Sequence, residues 1–318
     1  LKQQRVVRTA LIIGILVVAG FLVFVFNRLR VIRKQKKEIE TEKKIREEQH
    51  LLLEEKNNEI IDSINYAWRI QHGMIPTEGK VTEIFPESFV LYMPKDKLSG
   101  DFYWVGKVSA KALGDLKIFA VADCTGHGIP GALVSITGIN YIKLGEQQSN
   151  VNSPAQALDF VNKGFYDLFQ ENTNVNIRDG MDVAMGALQV NNLMLHYAAA
   201  KNPVIVIRKG ELKELKGDKH PIGRFGPEEP IPFTDHQYQL EKGDMLYVFS
   251  DGYGDQFGGA KPGSTQTRKF KSGELRKLLL EIHNKPAIAQ RTLLFARIEE
   301  WKGSQEQTDD ITIIGIRV

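Results

Sequence analysis

From Thr9 to Phe26 the chain runs for eighteen residues without a charge, rich in Ile, Leu, Val and Phe. As a helix such a run is about 27 Å long, close to one bilayer hydrocarbon core. It predicts a transmembrane helix over 9–26, preceded by a short juxtamembrane end over 1–8. A secretory signal peptide is the competing reading, but no small-residue cleavage site follows and the next stretch is strongly basic. Arg28, Arg30, Arg33, Lys34, Lys36 and Lys37 follow the run, against Lys2, Arg5 and Arg8 before it. That excess places the C-terminal side in the cytoplasm, behind a single pass of the inner (cytoplasmic) membrane. Because the chain opens on Leu1, it reads as the C-terminal part of something longer.

The segment 27–75 predicts a helical linker. Between Leu29 and Ile75 there is no Pro and only Gly73, and Glu, Lys, Gln and Arg dominate. One heptad frame aligns Ile32, Ile39, Leu53, Ile60, Ala67 and Met74, with Arg46 as the exception. The partner positions, Leu29, Lys36, Lys43, His50, Asn57, Ile64 and Gln71, are mostly polar. A solvated single helix is one outcome of such a pattern. A metastable parallel homodimer through the linker is the other, since polar seam positions weaken a coiled coil. Pro76 ends the helix and opens a separate domain over 76–318.

Charge and cysteine exclude some classes of function. The first 46 residues carry twelve Lys or Arg against three Glu, which leaves thirty basic against thirty-six acidic residues beyond them. A mildly acidic domain is not a nucleic-acid surface. The lone Cys124 forms no internal disulfide, as expected of a reducing compartment.

Strands are expected at Phe89–Met93, Phe102–Val108, Leu116–Ala122, Val183–Val190, Met194–Ala200, Val204–Arg208, Glu211–Leu215, Met245–Phe249 and Ile311–Arg317. Asn191-Asn192 and Lys209-Gly210 read as two-residue hairpin links, which make antiparallel pairs. Helices are expected at Pro130–Leu144, Pro154–Gln170, Ser272–His283 and Ala287–Trp301. The fold class is α+β, two antiparallel layers with helices outside.

Aspartates fall at the ends of these strands. Asp101 opens one, Asp123 closes Ile118–Ala122, Asp251 closes Leu246–Ser250, and Asp309 and Asp310 precede the last. Asp182 starts another. Turn capping accounts for any single one of them. Several at once are harder to account for that way, because converging carboxylates repel one another unless cations intervene. Oxygen ligands without Cys or His side chains favour Mg²⁺ or Mn²⁺ over Zn²⁺, and no HExxH or CxxC occurs. Two such ions roughly 3.5–4 Å apart bind phosphoryl oxygens and acidify a water for in-line attack.

The ordered set Ser99-Gly-Asp101-Phe, Val121-Ala-Asp123-Cys-Thr-Gly-His-Gly128, Gly180-Met-Asp182, Ser250-Asp251-Gly and Thr308-Asp309-Asp310-Ile-Thr resembles the SpoIIE/RsbU-type branch of the metal-dependent PPM serine/threonine protein phosphatases. The resemblance covers roughly 60–318. It implies an α-β-β-α sandwich and an enzyme that hydrolyses phosphoserine or phosphothreonine on a regulatory protein with two divalent cations, Mn²⁺ or Mg²⁺. Carried over, Asp123 bridges the metals, the Cys124 backbone carbonyl completes one sphere, Asp251 and Asp309 are direct ligands, and Asp101 binds directly or through water. Asp310 and Gly126 support the site, and Asp182 stands outside the core set. His127 either protonates the leaving oxygen or holds its loop. Gly252–Gly259 departs from the commoner Thr-Glu continuation. By the same resemblance the linker helices control the metal site, and the substrate is a phosphoprotein of the STAS-type anti-sigma antagonist class. Three alternatives stay open: an inactive phosphoprotein-binding scaffold, a metal-dependent small-molecule phosphoesterase, and a sensor kinase using His50 or His72. The last lacks any Gly-rich nucleotide box.

Overall fold

The computed structural model describes residues 2–110, 114–148, 151–170, 179–223, 229–259 and 266–318. Leu1, the first residue of the expected juxtamembrane end, lies outside them. The chain divides into two compact units, Leu1–Ser63 and Ile64–Val318.

Helix α1, Lys2–Met74, occupies every described residue of the first unit. Its apolar stretch is long and apolar enough to cross a membrane, and none of it is buried. Leu16, Val17 and Phe21 stand about two-thirds exposed. Further on, Lys34–Glu38 and Lys43–Glu47 form exposed ion pairs one turn apart, which support a helix by a few tenths of a kcal/mol each. The heptad positions Ile32, Ile39, Leu53 and Ile60 are exposed.

The second unit starts with the last turns of α1, upstream of the boundary expected at residue 76. After Pro76 comes α2 (Glu78–Ile84), capped by the Thr77 hydroxyl. Then follow β1 (Ser88–Met93), β2 (Phe102–Ala110), β3 (Gly114–Cys124), α3 (Gly128–Glu146) and α4 (Pro154–Gln170). Next are β4 (Gly180–Gln189), β5 (Met194–Ala200), β6 (Val204–Arg208), β7 (Glu211–Leu215), β8 (Ile222–Gly223), β9 (His236–Gln239) and β10 (Met245–Phe249). The chain closes with α5 (Gly252–Asp255), β11 (Phe257–Gly258), β12 (Arg268–Lys269), α6 (Ser272–Ile282), α7 (Ala287–Lys302) and β13 (Ile311–Arg317).

One sheet has the order β1-β13-β10-β6-β7 and the other β2-β3-β4-β5-β9, with β8 on β4. Every pairing between these strands is antiparallel. The first sheet is buried on both faces, and the two-residue period of its strands sorts the side chains. Val90, Val206, Leu246, Val248 and Ile314 join Val105, Val121 and Val183 of the second sheet in the core between the layers. Phe89, Ile205, Tyr247 and Ile313 face the other way and pack with Leu275 and Leu279 of α6 and Leu294 and Ile298 of α7. On the far side Val134, Ile139 and Ile142 of α3 and Leu158 and Val161 of α4 belong to the inter-sheet cluster's outer layer. The result is the α-β-β-α sandwich expected from the sequence.

Lys209 and Gly210 link β6 to β7 with φ of 51° and 83°, the paired positive values of a two-residue hairpin turn. The β4–β5 link is longer than expected, because β4 stops at Gln189. The Val190 N–H turns away to the Asp115 carbonyl at 3.2 Å, and Leu193 takes φ of 58°.

Candidate metal centre

The strand ends bring each of the six aspartates within electrostatic reach of at least two others. Asp123, the last residue but one of β3, stands opposite Asp182 of β4 in the register of the second sheet. Asp251 follows β10 of the other sheet, and its N–H donates to Asp123 Oδ2 at 3.4 Å. Asp309 and Asp310 lead into β13, and the Asp310 N–H donates to Asp309 Oδ1 at 2.9 Å. Exposure grades across the cluster. Asp101 and Asp310 are buried at its floor, Asp123, Asp182 and Asp309 are half-buried, and Asp251 lies open to solvent at its mouth.

Burial and mutual repulsion act in the same direction on these groups. The Asp101 carboxyl is held well above the ordinary range, first by burial and then by Asp123, while the Ser250 hydroxyl donates to its Oδ2 at 2.5 Å. Asp123 is pushed up to about 8 by burial, then by Asp251 and Asp309. Asp251 is raised as well, by what burial it has and by Asp255 and Asp309; its exposure makes solvent a competitor to that effect. Asp310 is raised by burial although it accepts the N–H groups of Lys95 and Gly100, each at 2.7 Å. Asp182 is raised by burial as well, against the opposing pull of Lys201 Nζ, 3.0 Å from its Oδ1.

Among the described residues no ion pair reaches Asp101, Asp123, Asp251 or Asp309. Nor do three His, Cys, Asp or Glu side chains among them already stand in ion-holding geometry. What the fold supplies is proximity of hard oxygen donors, four of them in no ion pair among the described residues. That donor set fits Mg²⁺ or Mn²⁺.

Small residues let the backbones meet. A Cβ on Gly252 would fall 1.9 Å from the Asp310 carbonyl, and one on Gly100 would fall 2.2 Å from the Gly126 carbonyl and 3.3 Å from that of Cys124. The Cys124 carbonyl therefore sits beside the Asp101 segment. Its thiol is buried and pushed well up, first by burial, which removes a thiolate nucleophile from the site. Gly126 holds φ of 82° in the turn that leads to α3.

His127 is held on both sides. Its Nδ1 is 2.7 Å from Asp96 Oδ2, and Lys95 Nζ is 3.0 Å from its Nε2. A lysine ammonium only donates, so Nε2 accepts and the ring proton sits on Nδ1, directed at Asp96. As placed, His127 is held against the 95–96 segment through both ring nitrogens.

A contact that the heptad reading did not assign reaches the same segment from α1. Gln71 is 2% exposed. Its Nε2 donates to the Ser99 carbonyl at 2.6 Å and to Ser135 Oγ of α3 at 2.7 Å, and its Oε1 accepts the Ser99 N–H at 3.2 Å. Ser99, Gly100 and Asp101 are thus pinned by α1, α3 and Asp310. In the sequence Gln71 was only one more polar seam position.

Residues 115–318 match the family model described as Stage II sporulation protein E (SpoIIE). The SiaA-PP2C domain of Pseudomonas aeruginosa is similar at 26% identity and a TM-score of 0.70, over 82% of this chain and 98% of that one. The PP2C phosphatase domain and regulatory fragment of SpoIIE from Bacillus subtilis is similar at 18% identity and a TM-score of 0.54, over 73% of this chain and 63% of that one. The RsbU and RsbW domains of a Mycobacterium tuberculosis protein are similar at 16% identity and a TM-score of 0.53, over 73% and 60%. The last two likenesses show the fold alone. No curated protein matches the chain.

Proposed function

The chain belongs to the SpoIIE family, and from that premise we propose that it is a membrane-anchored, divalent-cation-dependent phosphatase acting on phosphoserine or phosphothreonine of a regulatory protein. The observation that carries this reading is the cluster of aspartates drawn from both sheets, with Asp101, Asp123, Asp251 and Asp309 in no ion pair among the described residues. In this reading those four carboxylates and the Cys124 carbonyl hold two Mn²⁺ or Mg²⁺ ions. When bound, such ions offset charge on phosphoryl oxygens and acidify a water for attack on phosphorus. Asp310 keeps Lys95 and Gly100 in place beneath the ligands. Asp251, at the open edge, is the first ligand an incoming phosphoryl group meets. Protonation of the departing serine oxygen by His127 requires Lys95 to leave Nε2 first. The test is phosphate release from p-nitrophenyl phosphate and a phosphoserine peptide by the full chain in detergent. Release is expected with added Mn²⁺ and lost with EDTA; release unaffected by EDTA would sink the reading.

The rest of the reading follows the chain backwards. The exposed apolar stretch over 9–26 anchors the protein, and the basic flank after it keeps the phosphatase on the cytoplasmic face. The exposed heptad positions Ile32, Ile39, Leu53 and Ile60 pair with a second copy through the linker. Gln71 supports control of the site by that helix, since it bonds both backbone groups of Ser99, two residues before Asp101. Gln71→Ala leaves a buried N–H and carbonyl unpaired, at about 1–3 kcal/mol. The expected outcome is an approximately tenfold weaker Mn²⁺ dependence constant with p-nitrophenyl phosphate. Wild-type Mn²⁺ titration in that variant would count against coupling through Gln71.

A further inference from the structure

Positive charge gathers along a groove of about 450 Å³ formed by β12, α6 and α7. Arg268, Lys271, Lys277 and Arg297 stand along it, with Phe270 and Trp301 as its apolar part. With Lys269 that makes five cations against two carboxylates, Glu274 and Glu281. The chain beyond residue 46 carries more acid than base, so this stretch is not a sample of the average surface.

Part of that charge is already engaged. Lys269 pairs with Asp255 at 2.6 Å, Lys277 with Glu274 at 2.8 Å and Arg297 with Glu300 at 3.3 Å. Arg268 and Lys271 have no ion-pair partner among the described residues; Arg268 instead lies over the Trp301 ring, 5.2 Å from its centroid. That ring is fixed, because Phe270 meets it edge-on at 5.2 Å and its Nε1 donates to the Gln256 carbonyl at 3.1 Å. The groove therefore offers two cations outside any ion pair among the described residues, with Glu274 in electrostatic reach of both, beside a rigid aromatic face.

The groove's wall is also tied to the turn beside the carboxylate cluster. The Lys271 N–H donates to the Gly254 carbonyl at 2.7 Å and the Phe270 N–H to that of Gln256 at 2.9 Å, so its wall hangs from the turn that begins at Asp251. Lys271 is held there at φ of 76°. Lys269 is close enough to Asp251 and Asp309 for both to favour its charged form, after Asp255.

We propose that this groove docks an acidic segment of the phosphoprotein substrate, with its carboxylates on Arg268 and Lys271 and an apolar side chain against Trp301. The proposal rests on the phosphatase reading and adds what that substrate is made of. Basic residues beside the site attract an acidic segment and raise the rate of encounter.

The experiment uses the full chain in neutral detergent and two phosphoserine peptides of equal length, one flanked by Asp and Glu, the other by Asn and Gln. The wild type is expected to show a lower KM for the acidic peptide. Arg268→Glu with Lys271→Glu is expected to raise that KM about tenfold while kcat/KM for the neutral peptide and for p-nitrophenyl phosphate stays within about twofold. The milder pair Arg268→Gln with Lys271→Gln gives a smaller shift in the same direction should the reversal disturb folding. Binding of the unphosphorylated acidic peptide, followed by fluorescence anisotropy, needs no turnover and loses affinity in the same variants. A wild type without preference between the peptides, or variants that lose all three substrates equally, overturns the docking groove. Loss of all phosphate release in the wild type with anisotropy intact overturns the phosphatase reading instead.

Discussion

Asp123→Asn is expected to lower kcat/KM for both a phosphoserine peptide and p-nitrophenyl phosphate by roughly a thousandfold or more at saturating Mn²⁺, equivalent to about 4 kcal/mol of lost transition-state stabilisation. The substitution keeps the shape of the side chain and removes the charge. Asp123 is the carboxylate on which the others converge, since Asp251, Asp309 and Asp182 all act on it and the Asp251 N–H points at its Oδ2. Its carboxyl is pushed up to about 8, so neutralising it relieves repulsion and the fold should survive, or gain stability, while cation binding collapses. Asp182→Asn is the informative companion. That carboxylate is matched by Lys201 at 3.0 Å, and the loss expected there is less than about tenfold. Near-equal activity of wild type and Asp123→Asn, or an Asp182 effect as large as that of Asp123, would remove Asp123 from the centre of the site.

The sandwich was readable because its strands obey simple patterns. β5, β6, β7, β10 and β13 begin and end where the apolar runs and the flanking turn residues place them. β9 was not readable: His236, Gln237, Tyr238 and Gln239 carry no apolar alternation, and only pairing with β5 makes them a strand. Helix α2 is seven residues long, too short for a periodic signal, although Thr77 and the buried pair Val81 and Ile84 mark it in hindsight. α5 is a single turn, too short for any periodic signal, and a Cβ on its Gly252 would fall 1.9 Å from the Asp310 carbonyl.

The carboxylates of the site were legible for a different reason. An Asp at the end of a buried strand demands a partner, and that demand shows in sequence order. The residues that orient them left no such trace. Gln71 looks like any polar residue on a charged helix until the fold buries it against Ser99 and Ser135. Ser250 looks like a strand residue until its hydroxyl donates to Asp101 and accepts the Thr312 N–H at 3.0 Å. Partners that far apart in the chain are set by the meeting of two sheets, which no local pattern records.

The crowding of those carboxylates also sets how stability depends on pH. The Asp123 carboxyl ordinarily loses its proton near 3.8 and does so near 8 in the folded chain. Between those values the folded state holds a proton that the unfolded state has released, so stability is fully present below about 4 and declines as pH rises toward 8. One such group costs about 1.4 kcal/mol per pH unit across that window. Asp101 and Asp310 are shifted in the same direction. The melting temperature of the EDTA-treated chain, read from the fluorescence of buried Trp104 among the tryptophans, should therefore fall between pH 5 and pH 8. Cations act oppositely, because they bind the deprotonated carboxylates. At a hundredfold excess over its Kd each ion adds about 2.7 kcal/mol, or roughly 5–10 °C for a domain of this size. The gain from Mn²⁺ should thus be small at pH 5 and large at pH 8. Asp101→Asn, whose side-chain carbonyl still accepts the Ser250 hydroxyl, should raise the EDTA melting temperature at pH 8 and shrink the Mn²⁺ gain. A melting temperature flat in pH without metal, with the same Mn²⁺ gain at both ends, would mean that the aspartates do not share one pocket of uncompensated charge.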